Sequence, residues 1–480
     1  MIVCTITAPT AEAALQSMDE ARKAGADLAE LRADFLDDPD LTAILPKKPL
    51  PVMVTCRPAW EGGRWSGAEA LRVGVLEDAC VLGADYVDLE FKAFKDIKLR
   101  ETKLVVSWHD FEKTPGDLEA LAAKLGALEP LVVKIAVKAN SAADAMRVVA
   151  AQKRAARPSA FIAMGDFGEP LRVLYRRYGG FLSYAALRAG GEAAPGQLTV
   201  EALVKSYRAK AVDDETKVYA VIGDPVAHSK SPAVFNRVFH ELGLNARYVK
   251  LRVDDASKLR DAVAAWELSG ASVTVPHKES ALGSVDEADD VSTEIGAVNT
   301  VVVGEKLRGL NTDVVGAVES IREAAMRKWR HGVYGMRAVV LGAGGTARAV
   351  AWGLMSEGAR VTIANRTFEK GKALAEELTC DYLPVSRLVE ARAQVVCNAT
   401  TVGMEGDESP WPAELWKADS VAFDAVYTPR ATRFLREAKA AGAEIADGVG
   451  MFVKQANAQC QAWLGRGIPT ELVKEFLKTL

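Results

Sequence analysis

The 480-residue sequence lacks any apolar run of the roughly 18 residues that a membrane-crossing helix requires. Its first ten residues, MIVCTITAPT, also lack the basic start and the long apolar stretch of a secretory signal. These two absences predict a cytoplasmic protein that makes no contact with a membrane.

Residues suited to metal sites and disulfides are scarce. The chain has six cysteines and five histidines, without a CxxC pair and without histidines at the spacing of zinc ligands. The 60 Lys and Arg residues nearly balance the 64 Asp and Glu residues, giving a net charge of −4, so no basic surface for nucleic acid is indicated. We therefore expect free thiols, no metal and no nucleic-acid partner.

What the sequence does contain is enough length for two to four domains and a regular alternation of short apolar segments. Up to about residue 208, eight β-branched segments alternate with amphipathic helical stretches. These segments are VCTI, ADLAEL, VMVTC, YVDLEF, LVVSWH, LVVKIAV, AFIAM and GFLSYA. Strands that alternate with helices pair in parallel, and eight such units predict an α/β fold that begins with a (β/α)8 TIM barrel.

A polar segment, AKAVDDETK at residues 209–217, ends this alternation and predicts a domain boundary. We expect the barrel at residues 1–210 and a smaller α/β substrate-binding domain at residues 217–330. A Rossmann nucleotide-binding domain is expected at residues 335–448, and a C-terminal helix at residues 449–480 is expected to pack back on the substrate-binding domain.

Polar side chains fall at the ends of the predicted barrel strands, where enzymes of this fold carry their chemistry. They are Glu30, Arg32, Arg57, Glu90, His109 and Lys134. Lys134 lies between Val133 and Ile135, and we expect desolvation to lower its pKa toward that of the neutral amine that attacks a carbonyl. His109, with an expected pKa near neutrality, suits proton transfer, and Glu61 in the loop after the third strand could orient it.

These residues stand in the motifs ELRADFL, TCRPAWEGG, SWHDFEKTP, VKIAV, GGFLSYAAL and APGQ. Through them, nearly all of residues 1–208 resemble type I 3-dehydroquinate dehydratase. The resemblance implies that Lys134 forms a Schiff base, that His109 moves the protons and that Glu61 is the partner of His109. The residues implied to hold the substrate are Glu30, Arg32 and Arg57 at its hydroxyls, and Arg172 and Gln197 at its carboxylate.

A strand–turn–helix pattern, AVVLGAGGTARAVAWGL, marks the start of the predicted nucleotide-binding domain. Its turn consists of Gly342, Ala343, Gly344 and Gly345, whose backbone amides could approach a pyrophosphate. The next strand, RVTIAN, ends at Asn365, Arg366 and Thr367, where an NAD-binding protein would carry an acidic residue. A guanidinium suits a 2′-phosphate, so the sequence predicts NADP as the cofactor.

Small polar residues and one pair of opposite charges lie upstream of this turn. They are Ser229, Ser231, Thr274, Lys278, Asn299 and Asp313. Lys278 and Asp313 could place a proton donor beside a carbonyl that receives a hydride. With NATTVGM, DAVYTPRATRFL and GVGMFVKQA, these motifs resemble shikimate dehydrogenase over residues 218 to about 475.

This second resemblance implies that Lys278 and Asp313 form the catalytic pair. The other residues that it implies are Ser229 and Ser231 at the substrate carboxylate, Thr274, Asn299 and Gln455 at its hydroxyls or carbonyl, Tyr427 near the substrate, and Thr400 near the nicotinamide.

Together the resemblances imply an enzyme that dehydrates 3-dehydroquinate to 3-dehydroshikimate and reduces this product with NADPH to shikimate. Its partners would be these small molecules, and the protein would be a monomer or a homodimer. Two alternatives are a second half that acts on quinate, with NAD as a possible cofactor, and a non-catalytic quinate-sensing regulator. Arg366 argues against the first alternative, and retention of Lys134, His109, Lys278 and Asp313 argues against the second.

Overall fold

The computed structural model describes residues 1–93 and 97–479, and the contacts within it divide the chain into two compact units, Met1–Leu268 and Ser269–Leu480. Leu480, the last residue of the helical segment expected at 449–480, lies outside the described residues.

Parallel strands form the beginning of the first unit. They are β1 (Ile2–Ile6), β2 (Leu28–Arg32), β3 (Val52–Thr55), β4 (Tyr86–Glu90), β5 (Lys103–Asp110), β6 (Val132–Lys138), β7 (Ser159–Met164) and β8 (Ser183–Ala186). Each strand from β1 to β6 pairs with the next, and β8 pairs with β1. Between β7 and β8, Ser159 of β7 forms an isolated bridge with Gly180, just before β8, and Phe181 N donates to Ser159 O at 2.7 Å. The predicted (β/α)8 barrel is confirmed.

Amphipathic helices cover the outside of this barrel. They are α1 (Ala11–Ala24), α2 (Glu69–Val81), α3 (Leu118–Gly126), α4 (Ala142–Lys153) and α5 (Glu169–Leu174). Side chains of Thr10, Asp117 and Ser141 accept hydrogen bonds from the first turns of α1, α3 and α4, as N-caps do. Strands β1 to β4 are buried at every residue, because side chains fill the barrel inside and helices cover it outside.

The first unit continues beyond the barrel with a second α/β segment. Its elements are β9 (Lys217–Gly223), α6 (Ser231–Glu241), β10 (Ala246–Arg252) and α7 (Leu259–Ala265). Strands β9 and β10 pair in parallel, and Phe235 of α6 stacks on Tyr248 of β10 with ring centroids 4.5 Å apart. Helix α5 of the barrel packs against β10, and Tyr178 donates a 2.6 Å hydrogen bond to the Trp266 carbonyl.

A strand that begins at the last residue of the first unit leads into the second unit. The elements here are β11 (Leu268–Val273), β12 (Glu287–Ala288), α8 (Asp290–Ile295), β13 (Thr300–Val303), β14 (Leu307–Leu310) and α9 (Thr312–Lys328). Strand β13 pairs antiparallel with both β11 and β14, and β12 pairs in parallel with β14.

A separate parallel sheet follows in the second unit. Its elements are β15 (Arg337–Leu341), α10 (Gly345–Ser356), β16 (Arg360–Ala364), α11 (Phe368–Glu377), β17 (Asp381–Tyr382), β18 (Val395–Asn398), β19 (Val421–Asp424), α12 (Arg433–Ala440) and β20 (Glu444–Ala446). The strand order is β17-β16-β15-β18-β19-β20. The order reverses between β15 and β18, which is the Rossmann pattern and confirms this part of the predicted fold.

Two helices end the described chain, α13 (Gly448–Leu464) and α14 (Thr470–Thr479). Helix α13 packs along α9, and its Gln459 Nε2 and Trp463 Nε1 donate hydrogen bonds to Thr300 Oγ1 and Val301 O, each at 3.0 Å. Among residues 1–93 and 97–479, no helix combines the length and the apolar character that crossing a bilayer requires.

Candidate active sites

A pocket opens where the barrel strands end, and it gathers side chains from six strands and from the segments that follow strands. Its polar lining includes Glu30, Arg32, Arg57, Glu61, His109, Lys134, Arg172, Tyr184 and Gln197. Every residue that the sequence assigned to the dehydratase-like site therefore faces one cavity. Glu90, which is fully buried at the end of β4, accepts a 2.7 Å hydrogen bond from Arg57 Nη1 behind this lining.

Lys134 projects from β6 into the pocket and is 4% exposed. Its Nζ lies 3.0 Å from Asp88 Oδ2, 3.2 Å from Glu30 Oε1 and 4.1 Å from the ring centroid of Tyr184. Burial by itself lowers the pKa of Lys134, but the two carboxylates outweigh it, so the pKa is raised above its ordinary value. The expectation of a lowered pKa is wrong for this state, because it considered the apolar neighbours along the strand and not the acids across the barrel.

Asp88, which the sequence interpretation did not single out, lies beside Lys134 in this charged cluster. It is fully buried, its Oδ2 lies 3.0 Å from Arg57 Nη2, and its Oδ1 accepts a 2.5 Å hydrogen bond from Ser107. Although burial would raise its pKa, the cations of Arg57 and Lys134 lower it. The segment YVDLEF contained the signal, because residues two apart on a strand share a face, so Asp88 had to point inward if Glu90 did.

His109 and Glu61 form a close pair beside Lys134. Glu61 Oε1 lies 2.9 Å from His109 Nδ1 and accepts a second 2.9 Å hydrogen bond from the His109 backbone N–H. Burial raises the pKa of Glu61 to about 7. Burial, together with the positive charges of Arg57 and Lys134, holds the pKa of His109 well below its ordinary value, so the imidazole is neutral and the expected near-neutral pKa is wrong for this state.

Glu30 and Arg32 already have hydrogen-bond partners within the barrel. Glu30 accepts from Thr5 at 2.9 Å and from Thr55 at 3.1 Å. Arg32 forms a two-point ion pair with Asp34, at 2.8 and 2.7 Å.

Arg172 and Gln197 line another part of this pocket. The Arg172 guanidinium donates to the Tyr184 and Pro195 carbonyls, each at 3.2 Å, while its buried Nε has no partner among the residues that the structure describes. Gln197 Oε1 accepts a hydrogen bond from Ala193 N at 2.9 Å. Because no carboxylate pairs with the guanidinium in the described chain, Arg172 can still bind an anionic group.

The glycine-rich turn after β15 has the geometry of a phosphate-binding loop. Gly342 has φ +118°, and a Cβ there would lie 3.0 Å from the Ala399 carbonyl, so only glycine fits this position without strain. Ala343 follows it, Gly344 is the N-cap of α10, and the helix begins at Gly345 without a side-chain cap. The first amides of α10 are therefore open to an anion.

At the end of β16, Arg366 is exposed and makes no hydrogen bond or ion pair with the described residues. Asn365 Nδ2 donates to the backbone carbonyl of Thr367 at 2.9 Å, which shapes the turn around Arg366. Across the switch point, Thr400 Oγ1 donates to Asn398 Oδ1 at 2.7 Å. A free guanidinium beside an open helix N-terminus fits a dinucleotide that carries a 2′-phosphate.

The Lys278–Asp313 pair lies at the glycine-rich turn after β15, where Lys278 contacts the start of α10. Lys278 Nζ is 2.5 Å from Asp313 Oδ2 and 3.1 Å from Thr346 Oγ1, at the second residue of α10. Asn299 Nδ2 donates to Asp313 Oδ1 at 2.8 Å and to Gln455 Oε1 at 3.3 Å. Thr346 was not singled out from the sequence, although it directly follows the glycines in GAGGTARA.

The structure shows local contacts for four further predicted residues. Thr274 follows β11 and accepts a backbone hydrogen bond from His277 at 2.9 Å, and Tyr427 stacks on Phe452 with ring centroids 5.0 Å apart. Ser231 is the first residue of α6, and its N–H donates to Ser229 Oγ at 3.3 Å. The two serines thus share one turn at the start of a helix.

In the described part of the chain, no group of three or more His, Cys, Asp or Glu side chains is arranged to hold a metal ion.

Comparison with known families finds three matching models. Residues 2–214 match type I 3-dehydroquinase, residues 221–301 match the shikimate dehydrogenase substrate binding domain, and residues 323–403 match shikimate / quinate 5-dehydrogenase.

Individual proteins match either nearly the whole chain or about half of it. The chloroplastic bifunctional 3-dehydroquinate dehydratase/shikimate dehydrogenase of Arabidopsis thaliana is 36% identical, and the match covers 99% of this chain and 84% of that protein. The NADP(+) shikimate dehydrogenase of Syntrophobacter fumaroxidans is 43% identical over 53% of this chain and 90% of its own length. A crystal structure of shikimate dehydrogenase from Aquifex aeolicus is similar with a TM-score of 0.51 and 34% identity, covering 56% of this chain and 99% of that one.

Proposed function

The chain belongs to the family of bifunctional 3-dehydroquinate dehydratases/shikimate dehydrogenases, and from this premise we propose how its residues divide two consecutive reactions. The enzyme is a lyase that converts 3-dehydroquinate to 3-dehydroshikimate and an NADP-dependent oxidoreductase that reduces 3-dehydroshikimate to shikimate. The observation that carries the residue assignments is one pocket holding a buried amine, a neutral imidazole and an anion-binding guanidinium.

In the barrel, Lys134 must lose a proton before Nζ can attack the substrate ketone, because its pKa is raised. The neutral imidazole of His109 is the base proposed to accept that proton. Condensation gives a carbinolamine, and His109 returns its proton to the carbinolamine hydroxyl, which leaves as water. This step restores the neutral imidazole and leaves an iminium, which makes the adjacent C–H acidic. Asp88 and Glu30, which lie beside Nζ, stabilise the positive charge of this iminium.

His109 is proposed to remove the C2 proton of the iminium and then to protonate the departing hydroxyl, so that one proton passes through the same ring nitrogen. Glu61, held at 2.9 Å from Nδ1, stabilises the charged imidazolium between these steps. Hydrolysis of the remaining Schiff base returns Lys134 and releases the product. Glu30, Arg32 and Arg57 are proposed to bind substrate hydroxyls, and Arg172 and Gln197 its carboxylate.

In the second half, NADPH supplies the hydride when bound, and the chain supplies orientation and a proton. The proposed phosphate-binding residues are Gly342, Ala343, Gly344 and Gly345 at the pyrophosphate, with Asn365, Arg366 and Thr367 at the 2′-phosphate and Thr400 on the nicotinamide side. Lys278 Nζ donates its proton to the carbonyl oxygen, and Asp313 holds the ammonium in place.

The substrate of this half is proposed to contact polar groups from several elements. These are Ser229 and Ser231 at its carboxylate, Thr274, Asn299 and Gln455 at its hydroxyls or carbonyl, and Tyr427 near the substrate. Neither quinate oxidation nor a non-catalytic regulatory role is favoured, because the related full-length protein is named for both catalytic activities.

We further propose domain limits at residues 1–210, 217–330 with 449–480, and 335–448. The interval between the first two family matches, which lies between residues 214 and 221, supports the first boundary. Limited proteolysis of the full chain should cut first between these segments.

We also propose a cytoplasmic location, a monomer or homodimer, and partners limited to small molecules. Light scattering over a range of protein concentrations and localisation of a tagged chain test these points.

The decisive experiment supplies the purified full chain with 3-dehydroquinate and NADPH, and follows nucleotide oxidation and shikimate formation together. Lys134→Ala should abolish shikimate formation from 3-dehydroquinate, by about 10⁴-fold or more, because the covalent intermediate is lost. The same variant should still reduce 3-dehydroshikimate at the unmodified rate.

Borohydride added during turnover should fix the substrate to Lys134, as detected by mass spectrometry of the peptide. Lys138→Ala is the matched control, since Lys138 ends the same strand, and it should keep both activities. Full dehydration by Lys134→Ala, or absence of the trapped adduct, would contradict the Schiff-base assignment.

A further inference from the structure

Strand β10 carries two cations, Lys250 and Arg252, that both reach the loop at residues 224–231. Lys250 Nζ donates to the Ala227 carbonyl at 2.6 Å, and Arg252 Nε donates to Asp224 Oδ1 at 2.7 Å. Residues two apart on a strand point to the same side, so the two cations act on this loop together. The loop ends at the serine pair proposed to bind the substrate carboxylate.

Arg252 also faces the barrel. The Arg252 guanidinium lies 4.6 Å from the ring centroid of Phe167, and its Nη1 is 3.5 Å from Asp166 Oδ2. Both barrel residues follow β7, in the segment that continues into α5, and α5 packs against β10. Helix α5 bears Arg172, the guanidinium proposed to bind the dehydratase substrate.

Electrostatics links Lys250 to the same helix. Glu169, the first residue of α5, is partly buried and lies 3.5 Å from the Tyr207 hydroxyl. Burial raises the pKa of Glu169, and the positive charge of Lys250 opposes this rise. Arg252 therefore contacts the serine loop on one side and the β7–α5 segment on the other. Lys250 contacts the serine loop, and its positive charge acts on Glu169 of α5.

We propose that Lys250 and Arg252 are positioning residues through which the barrel holds the 224–231 loop in its substrate-binding arrangement. The inference rests on the proposed role of Ser229 and Ser231 at the carboxylate. Within the loop, Ser229 N donates to Val226 O at 3.1 Å, and Ser231 N donates to Ser229 Oγ at 3.3 Å. The Arg252 guanidinium is held by the Phe167 ring and by the carboxylates of Asp166 and Asp224. Since its position is already fixed before the substrate binds, it is proposed to hold the loop in place rather than to contact the substrate.

The test uses the full chain and measures shikimate oxidation by NADP. Arg252→Gln and Lys250→Met should each raise the KM for shikimate about threefold to tenfold, because the loop loses a charged anchor that is half-exposed. The kcat, the KM for NADP and the dehydratase activity should stay within about twofold. Lys250→Arg should restore the KM, since it keeps a donor for Ala227. Lys258→Met is the matched control, because Lys258 pairs with Asp261 on the next helix and should change nothing.

A substitution in the barrel extends the test across the two active sites. Asp166→Asn alone should raise the shikimate KM by about twofold, and it should add little in the Arg252→Gln background, as expected for residues that act through one contact. Independent, additive effects of the two changes would overturn the part of the inference that concerns the barrel.

Ser229→Ala separates this inference from the function on which it rests. If Ser229→Ala raises the shikimate KM and Arg252→Gln and Lys250→Met do not, the positioning role is wrong and the proposed site stands. If Ser229→Ala together with Ser231→Ala leaves the KM unchanged, both proposals fail. A fall in kcat and in Tm with an unchanged KM would show a purely structural role for the cations and would also overturn the inference.

Discussion

The barrel pocket buries a network of full charges, whereas the site beside the dinucleotide turn contains one ion pair among neutral groups. In the barrel, Lys134, Glu30 and Arg57 are each 4% exposed and Asp88 is fully buried. In the second site, Lys278 and Asp313 contact the amide of Asn299 and the hydroxyl of Thr346.

This difference follows from where the reactive group comes from. In the proposed dehydratase mechanism the protein supplies its own amine, so the charges around Lys134 would have to balance both its protonated form and the later iminium. In the dehydrogenase half the cofactor supplies the hydride, and the protein has to orient a carbonyl and deliver one proton. Substitutions of the groups proposed to react should therefore affect the two reactions separately.

The largest effect expected from the second site comes from Lys278→Met. Reduction of 3-dehydroshikimate should slow about 10³-fold in kcat, because the ammonium that donates to the carbonyl oxygen is lost. Dehydration should be unaffected. Both rates can be measured on one preparation, and Lys306→Met, which removes an exposed cation paired with Glu287, serves as the control. Loss of dehydration in Lys278→Met would mean that the two halves are not chemically independent.

A smaller effect is expected from Arg366→Ala. The KM for NADPH should rise about tenfold to a hundredfold, with little change for NADH, because the only interaction lost is with the 2′-phosphate. The comparison is made by varying each nucleotide at saturating 3-dehydroshikimate. Lys372→Ala, an exposed cation of α11 near Glu376, is the control. Equal losses for the two nucleotides would argue that Arg366 does not select between them.

The smallest expected effect is the pH dependence of the dehydratase reaction, which would test the contrast in charge between the two sites. The pKa of Glu61 is raised to about 7, so this carboxylate is ionised above that pH and neutral below it. Only the ionised form stabilises the His109 imidazolium, so dehydratase kcat/KM should fall by about tenfold per unit as the pH drops below 7.

Glu61→Gln should flatten this acid limb and lower the plateau by about tenfold, since the carboxylate charge is absent at every pH. The reduction reaction, measured on the same samples, should keep its own pH profile in both proteins. Retention of the limb in Glu61→Gln would assign it to another group.

Patterns that are local in sequence predicted the fold. The eight alternating segments predicted the barrel, and GAGGTARA between a strand and a helix predicted the Rossmann turn. Resemblance to known families supplied the site residues, and the structure places the dehydratase-like set around one pocket.

The charge state of Lys134 could not be predicted from its neighbours along the chain. Its partners Asp88 and Glu30 are 46 and 104 residues away in sequence, and only barrel closure brings their carboxylates to Nζ. The bridge formed by Arg252 has the same origin, since Asp166 lies 86 residues before it. Electrostatic environments depend on pairs that the fold creates, so they require coordinates.

The return of α13 to α9 has a consequence for the order in which the chain matures on the ribosome. Asn299 and Gln455, which hydrogen-bond beside the Lys278–Asp313 pair, are separated by 156 residues, whereas all eight barrel strands have been synthesised by Ala186. Contacts between distant residues form late because a long loop must first close. The barrel pocket, whose lining residues have all been synthesised by Gln197, can therefore assemble before the Asn299–Gln455 contact, which requires that α13 has left the exit tunnel.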